Sequence, residues 1–445
     1  MDFLKDAALT QSPEHYQLII MIAGLSSAVL FPYLAFVVGS SVLSVWYDIT
    51  GKKKENDVMM TLAHHIFDLV LYNKSIILFL GLLPALSILF VYAQIFQTTE
   101  SITIGLAGFG LILLIIGFVL LYTYKYTFRV KEILDKFDKI ESEEKTITLK
   151  KYKLSNAIVY QRSGIYGVLI ILAAAFLFVA AYSIAIDRIL WKEIQSIFSA
   201  FLSINIWLRF LFFISISLGM TGFGTLYLIE GGKEAGFKET NYQKKVLRFA
   251  VISLLTFPVL MIFILLSQSI SSLSASIFFF TGIAGLLLFI AGHFLYAHYS
   301  RKKSYAIRYG FYIFIIAIMV WIANDHLALN NATKEAAALL AVKHEKVVEE
   351  MRTNLGIVQI TFTGEDIYNA KCSACHLIDQ RKVGPAYKDV LPKYANDKAK
   401  LIAFVLNPQK VNPDYPPMPA QGLKPAEADS VATYLLSKFS QLLNK

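Results

Sequence analysis

Two cysteines and a histidine form the most reactive group of side chains in the sequence, Cys372-Ser-Ala-Cys375-His376. The cysteines stand about one helical turn apart, so their thiols can form thioethers with the two vinyl groups of one haem. The adjacent histidine then lies under the iron as an axial ligand. The pattern C-x-x-C-H therefore predicts one covalently attached c-type haem. A redox C-x-x-C pair beside an incidental histidine is the alternative interpretation.

Residues on both sides of this motif recur at informative spacings. Gly364, Tyr368 and Cys372 follow one another at intervals of four, which predicts one face of a helix leading into the motif. A loop with Val383-Gly-Pro-Ala-Tyr387 follows, and then a proline-rich stretch, Tyr415-Pro-Pro-Met418-Pro. A closing helix carries apolar side chains at helical spacing: Val431, Tyr434 and Leu435.

Together these segments resemble a class I cytochrome c of the small bacterial type, over roughly the last 85 of the 445 residues. The resemblance implies that the iron is held by the histidine of the motif and by a downstream methionine, here His376 and Met418. It also implies that Pro385 supports His376 through its carbonyl neighbourhood. Finally, it implies contact between the first and last helices through three residues: Gly364, Tyr368 and Tyr434.

Met418 is the only methionine in residues 359–445, and it lies between prolines. Proline fixes φ, so Pro416, Pro417 and Pro419 can hold the loop rigid and present the sulfur as a ligand. Filling a gap in the core is the alternative role for this side chain. Because His/Met ligation raises the reduction potential relative to bis-histidine ligation, we expect a one-electron carrier on the high-potential side.

The rest of the chain is too apolar for a soluble protein of this length. Hydrophobic residues make up 56% and charged residues only 17%, which predicts an integral membrane protein. A spanning helix needs about 20 mostly apolar residues. Eight such stretches occur, near residues 17–46, 74–96, 102–124, 157–186, 204–229, 246–266, 277–299 and 306–323. The predicted fold is all-α: an eight-helix transmembrane bundle followed by a small helical cytochrome c domain.

Lysine and arginine are distributed unevenly between the connecting loops. The loops after the first, third, fifth and seventh stretches are rich in them, and residues 125–153 alone hold nine. The loops between are nearly bare. The positive-inside rule therefore predicts that the rich loops are cytoplasmic and both termini outside, which needs an even number of spans. We expect a multi-pass protein of the bacterial plasma (inner) membrane, with its haem on the periplasmic, extracytoplasmic side.

Composition predicts four segments: an extracytoplasmic N-terminal tail over residues 1–16, the bundle over 17–326, a helical linker over 327–358 and the cytochrome c domain over 359–445. The tail lacks the features of a cleaved secretory signal, so the first stretch is expected to act as an uncleaved anchor. Asn331 or Thr333 is expected near the N-cap of the linker helix. The linker is either a spacer that sets the reach of the haem domain or a helix docked on the bundle.

Histidines in the apolar stretches bear on a possible b-type haem. Only the seventh stretch carries any, His293 and His298, while His64 and His65 lie in the loop after the first stretch, on the same side. The paired histidines that cytochrome b carries on two helices are absent. A haem b or a quinone held by these groups is one interpretation, and interfacial histidines with ordinary hydrogen bonds are the other.

Charged residues within the apolar stretches are few. Arg162, Arg209 and Glu230 lie near helix ends, where their charged groups can reach the interface. No chain of acidic residues crosses the bundle, so the sequence predicts no proton pathway and disfavours a transporter or sensor. Residues 219–225, Gly-Met-Thr-Gly-Phe-Gly-Thr, form a small-residue face that predicts close helix packing.

The first apolar stretch resembles the first span of the large subunit of cytochrome bd-type oxidases. The shared features are Leu30-Phe-Pro32, Gly39, Leu43, Trp46 and Thr50-Gly-Lys52. That family also starts outside, but it carries a haem-ligating histidine two residues before Leu-Phe-Pro, where this chain has Ala28. The acidic residues of the family's third span are missing as well. The resemblance thus implies a subunit that has lost this haem site and its oxygen chemistry.

These features predict a membrane-anchored c-type cytochrome subunit of a respiratory electron-transfer complex. Its haem c would pass single electrons to or from partner subunits or soluble carriers. The expected partners are other membrane subunits, a cytochrome or oxidase redox partner and the lipid bilayer, with no nucleic acid. The alternative is a single-chain quinol:cytochrome c oxidoreductase with an additional b-type haem or quinone site in the bundle.

Overall fold

A computed structural model describes residues 12–71, 73–97, 99, 101–137, 143–231, 240–270, 272–301, 303–355 and 362–443. Most of the predicted N-terminal tail, the end of the predicted linker and parts of the lysine-rich loops lie outside these residues: 1–11, 356–361, 138–142 and 232–239. The chain divides into two compact units. The bundle unit comprises Ile22–Tyr92 and Glu100–Asn331. The C-terminal unit comprises Met1–Met21, Ala93–Thr99 and Ala332–Lys445.

Helices account for nearly all of the described residues up to Asn354. In chain order they are α1 (Pro13–Lys53), α2 (Asp57–Val70), α3 (Lys74–Ile95), α4 (Thr103–Phe137), α5 (Glu143–Ala185), α6 (Arg188–Glu193), α7 (Ile197–Leu202), α8 (Ile204–Gly231), α9 (Thr240–Ser267), α10 (Ala275–Arg301) and α11 (Ser304–Asn354). All but α2, α6 and α7 are long and apolar enough to cross a membrane. The described part of the chain thus contains the eight predicted apolar helices, and it contains no strand.

The eight apolar helices differ in how much of their surface the protein covers. In α8, 78% of the most apolar segment is buried, whereas in α9 and α10 only 28% is buried. Lipid tails are as apolar as leucine, so exposed apolar side chains on α9 and α10 need no protein cover inside a bilayer. The helix α8 is therefore central in the bundle, and α9 and α10 are peripheral.

Small residues let α8 approach its neighbours closely, as the face over residues 219–225 predicts. A Cβ atom added to Gly222 would lie only 2.5 Å from the backbone nitrogen of Ala250 in α9. A Cβ atom added to Gly39 in α1 would overlap the hydroxyl group of Thr221. The predicted close packing therefore occurs within this chain, between α8 and both α1 and α9.

The eighth apolar helix continues without a break into the predicted linker. Because α11 runs from Ser304 to Asn354, the N-cap expected at Asn331 or Thr333 is wrong. No glycine or proline occurs in residues 327–354, and the Ala, Glu and Lys residues of this part favour helix. The Nδ2 group of Asn331 instead donates a hydrogen bond to the Ser272 carbonyl oxygen, 3.3 Å away.

The residues that follow α1 form a helix where the sequence suggested a loop. His64 and His65 lie on α2, which begins after Asn56, whose side chain accepts a hydrogen bond from the backbone of Met59. One face of α2 packs with the end of α1 in a buried cluster: Leu43, Tyr47, Met59, Leu62, Ala63 and Ile66.

The C-terminal domain is a small set of short helices. They are α12 (Gly364–Ile367), which continues as a π-helical turn (Tyr368–Cys372), α13 (Tyr387–Val390), α14 (Lys398–Leu406) and α15 (Pro425–Leu443). One buried core joins them, formed by Ile367, Tyr368, Tyr387, Leu391, Leu401, Ile402, Val405, Val431, Leu435 and Phe439. The predicted small helical domain is therefore present, and it carries the reactive residues.

Candidate functional site

The cysteine motif lies at the end of the first helix of this domain. Thr363 caps α12 by a reciprocal hydrogen-bonded box with Asp366, which fixes where the helix begins. After the π-helical turn, the backbone nitrogens of Cys375 and His376 both donate to the Cys372 carbonyl oxygen, at 3.1 and 2.9 Å. This tight turn brings the two thiols and the imidazole into one small region.

A hydrogen bond to the following loop sets the orientation of the His376 ring. Its Nδ1 atom donates to the Pro385 carbonyl oxygen at 2.9 Å, because a carbonyl can only accept. The proton is therefore on Nδ1, and the lone pair on Nε2 can bind a metal ion. The Tyr387 ring stacks on the imidazole, with 5.1 Å between centroids.

The loop between the motif and α13 lies unusually close to His376. The backbone nitrogens of Val383 and Gly384 both donate to the Cys375 carbonyl oxygen, at 3.2 and 2.9 Å. A Cβ atom added to Gly384 would overlap the His376 ring. Glycine is therefore required here by the close approach of the backbone to the imidazole, which the sequence alone did not reveal.

The side chains behind the motif are aromatic and buried. Before any haem is attached, burial raises the pKa of the Cys372 thiol, and it also raises the pKa of the Tyr387 hydroxyl. Both free groups therefore keep their protons at neutral pH. The Tyr368 hydroxyl donates to the His376 carbonyl oxygen at 3.4 Å. Two buried tyrosines, Tyr368 and Tyr387, therefore pack against His376.

The five predicted site residues line a single cavity of about 220 Å³. Cys372, Cys375, His376 and Pro385 are on the motif side, and Met418 comes from the proline-rich loop. Most other lining side chains are apolar, among them Val390, Leu391, Leu401, Phe404, Val405 and Leu435. Two thiols, one imidazole nitrogen and one thioether around an apolar cavity fit an iron porphyrin with thioether attachment and His/Met ligation.

The first and last helices of the domain pack as the sequence predicted. A Cβ atom on Gly364 would overlap the Ser430 carbonyl oxygen and the Cβ atom of Tyr434. The Tyr368 and Tyr434 rings lie 5.7 Å apart between centroids. The crossing of α12 and α15 therefore closes the domain behind the motif.

Two residues of α11 belong to the core of this domain, which the sequence did not suggest. Ala338 and Val342 are buried in the same cluster as Tyr368 and Val431. The alanine-rich run predicts a helix, but it does not indicate which side of that helix is buried. Its spacing of four residues between Ala338 and Val342 is the feature that could have indicated a packed face.

Two histidines of the bundle unit, His64 and His298, have acidic neighbours. The Nε2 atom of His64 lies 3.6 Å from the Asp48 carboxylate and 3.4 Å from the Tyr160 hydroxyl. The Nε2 atom of His298 lies 3.8 Å from the Glu230 carboxylate. Within the described residues, no group of three or more His, Cys, Asp or Glu side chains could hold a metal ion.

Arg209 is buried within the bundle unit, beside an acidic residue. Its Nη1 atom lies 3.2 Å from the Asp325 carboxylate, and both residues are less than a tenth exposed. The sequence did not indicate Asp325 as a buried charge, because the predicted apolar stretch ends at residue 323. The pair borders a cavity of about 50 Å³, lined in part by Tyr182 and Trp321, which has less than a quarter of the volume of the cavity at the cysteine motif.

Comparison with known proteins finds similarity in the C-terminal domain. Residues 363–438 match the family model described as cytochrome c. Cytochrome c-552 of Hydrogenobacter thermophilus is 38% identical over 87 residues, which cover 19% of this chain and 89% of that protein. Cytochromes c-551 of Pseudomonas denitrificans and Azotobacter vinelandii are 35% and 37% identical over 79 residues, 17% of this chain and 96% of each relative. No solved structure matches the chain.

Proposed function

This chain belongs to the cytochrome c family through its C-terminal domain, and we propose that it is a membrane-anchored electron-transfer subunit of a respiratory complex. As a family member it carries one covalently bound haem c and transfers single electrons. One observation carries the proposal, namely that a single cavity gathers all five predicted residues: Cys372, Cys375, His376, Pro385 and Met418.

Each of these residues has a distinct proposed role at the haem. Cys372 and Cys375 would attach it through thioethers, and His376 would bind the iron through Nε2. Pro385 orients His376, because the Pro385 carbonyl oxygen accepts a hydrogen bond from the Nδ1–H group of the ring. This hydrogen bond also raises the basicity of the ring. Met418 would bind the iron through its sulfur, which would keep the reduction potential high. When bound, the haem iron takes up one electron and gives one up.

The apolar helices support a membrane location for the chain. Eight helices are long and apolar enough to cross a bilayer, and lysine-rich loops alternate with nearly bare ones. We infer that the protein spans a bacterial plasma membrane and that its haem domain is extracytoplasmic. The resemblance of α1 to bd-type oxidases stays a prediction, and Ala28 at the expected ligand position argues against oxygen chemistry.

A redox partner is required because one haem can only pass an electron on. The cavity mouth carries Lys371, Lys393 and Lys410 beside the exposed side chains of Val383 and Val411. Positive charge around an apolar centre favours a partner with an acidic patch, which raises the rate of encounter. Anchoring beside that partner in one membrane raises the effective concentration of the haem, commonly into the mM range.

The haem content and ligation can be tested on the purified full-length protein. Pyridine-haem analysis should give one haem c per chain, and the ferric protein should show the sulfur-to-iron charge-transfer band. Met418→Ala should remove that band and lower the midpoint potential, while Met351→Ala, which changes an exposed methionine of α11, should alter neither. An unchanged spectrum and potential in Met418→Ala would overturn the proposed ligation.

The same preparation tests the complex and the alternative function. Purification of the native protein in mild detergent should recover partner subunits that hold further redox centres. Recovery of the chain alone, with about one haem b per chain, would instead support a quinol:cytochrome c oxidoreductase. The present geometry offers that alternative less support, because His64 and His298 each lie against a carboxylate.

A further inference from the structure

A contact joins the loop after the cysteine motif to the loop of Met418, whose Tyr415 side chain lines the cavity. The Arg381 guanidinium lies over the Tyr415 ring, 4.5 Å from its centroid. We propose that Arg381 is a positioning residue that acts as a clasp, holding the loop of Met418 against the motif side of the domain. This proposal rests on the axial role proposed for Met418.

Arg381 projects from a segment that is fastened to the cysteine motif. The next residue, Lys382, donates from Nζ to the Ser373 carbonyl oxygen at 3.1 Å. Beyond it, the backbone nitrogens of Val383 and Gly384 donate to the Cys375 carbonyl oxygen. The segment that carries Arg381 is therefore fixed to the part of the domain that would attach the haem.

Tyr415 stands on the opposite loop, three residues before Met418, and both side chains line the cavity. Residues 407–424 contain no helix. At its two ends, this loop donates to the neighbouring helices: Asn407 N to Ala403 O and Lys424 N to Glu427 Oε2. Between them, the hydrogen bonds described are local: Tyr415 N to Asn412 O, Asp414 N to Asn412 Oδ1 and Gln421 Nε2 to Pro419 O.

The prolines of this loop limit its own conformations, but they remove the backbone donors that could anchor it elsewhere. A loop of this kind can move as one piece, carrying the Met418 sulfur with it. Among the contacts that the structure describes, the Arg381–Tyr415 pair links this piece to the motif side. The pair thus opposes the motion that would take the sulfur away from the iron.

The size of the effect follows from the type of interaction. A cation over an aromatic ring at an exposed site shifts an equilibrium by roughly two- to fivefold. Loss of the clasp should therefore make Met418 easier to displace by a competing ligand, without unfolding the domain. Free imidazole is a suitable probe because it binds ferric haem in place of a methionine.

The test is a titration of the ferric full-length protein with imidazole, followed through loss of the sulfur-to-iron charge-transfer band. Arg381→Gln and Tyr415→Leu should each raise the apparent imidazole affinity about two- to fivefold. Arg381→Lys and Tyr415→Phe retain a cation and a ring, so they should recover most of the wild-type value. The double variant should match either single variant, because each removes the same contact.

Lys438→Gln is the matched control. Lys438 also lies over a tyrosine ring, that of Tyr434 at 5.4 Å, but it is on α15 and not on the loop of Met418. Its imidazole affinity should equal that of the wild type. Wild-type affinity in both Arg381→Gln and Tyr415→Leu, or full additivity in the double variant, would overturn the clasp alone. A wild-type protein without the charge-transfer band would overturn both the clasp and the ligation by Met418.

Discussion

Lys346, on the C-terminal part of α11, pairs with Asp429 on α15, with 3.5 Å between the Nζ and carboxylate atoms. One and two turns earlier on α11, Val342 and Ala338 are buried in the core of the cytochrome domain. The region that matches the cytochrome c family model begins only at residue 363. The core of this domain therefore includes residues of a helix that lies outside the region matched by the family model.

Val342→Asp tests whether this helix stabilises the domain. Val342 is buried within the C-terminal unit, so aspartate would bury an unpaired carboxylate. We expect the free energy of unfolding of this unit to fall by about 2–4 kcal/mol. Denaturant titration of the intact protein, followed through haem absorbance, measures the change.

Leu339→Asp is the control for that variant, since Leu339 lies on the same helix but is 43% exposed. Its effect should stay within about 0.5 kcal/mol of the wild type. Equal losses in the two variants would mean that the contact of Val342 with the domain contributes nothing specific.

Asp366→Asn should change how the C-terminal domain responds to acid. Hydrogen bonds from the Thr363 hydroxyl and backbone hold the pKa of Asp366 below its usual range. A depressed folded-state pKa gives stability that is present above the unfolded-state pKa and is lost as pH falls through the folded-state value. The variant should therefore lose less stability than the wild type between about pH 5 and pH 2.

Unfolding measured across this acid range checks the prediction, and Thr363→Ala provides the comparison. That variant removes the hydroxyl donor and keeps the carboxylate, so its acid response should move in the same direction. If the free energy of unfolding falls equally with pH in the wild type and in both variants, the capping box has no part in acid stability.

The haem motif and the spanning helices could be predicted from the sequence, because each depends on a local pattern of residues. The spacing of Cys372, Cys375 and His376 specifies a helical turn, and runs of about 20 apolar residues specify spanning helices. Met418 could be identified as the candidate second iron ligand because no other methionine lies in the domain. Each of these inferences needs only residues that are close in sequence or unique in type.

The features that escaped prediction depend on contacts between distant segments. Val342 reads as one more apolar residue in a helical linker until α15 is packed against it. Asp325 reads as a residue past the end of a span until Arg209, 116 positions earlier, is brought beside it. Gly384 reads as an ordinary turn glycine until the His376 ring occupies the space where a Cβ atom would lie.

Gly384→Ala should therefore disturb the proposed proximal ligand more than its small size suggests. The new methyl group would meet the His376 ring, which must tilt or shift and so strain its hydrogen bond to the Pro385 carbonyl oxygen. We expect a lower midpoint potential and a partly high-spin ferric spectrum, both measured by spectroelectrochemistry.

The matched control for that variant is Gly282→Ala on α10, where an added Cβ atom meets nothing within 4 Å. The same spectrum and potential as the wild type are expected there. If Gly384→Ala also keeps the wild-type potential, then the close approach of this loop has no role in holding His376.

Asp325→Asn should destabilise the bundle unit, because it leaves the Arg209 guanidinium buried without its counter-charge. Breaking a buried ion pair in this way costs about 3–5 kcal/mol, and thermal unfolding of the detergent-solubilised protein should show the loss. The double variant Arg209→Met/Asp325→Leu removes both charges and fills the space with apolar atoms, so it should recover most of the stability. Similar stability in Asp325→Asn and the wild type would show that Arg209 reaches water or lipid headgroups in the membrane.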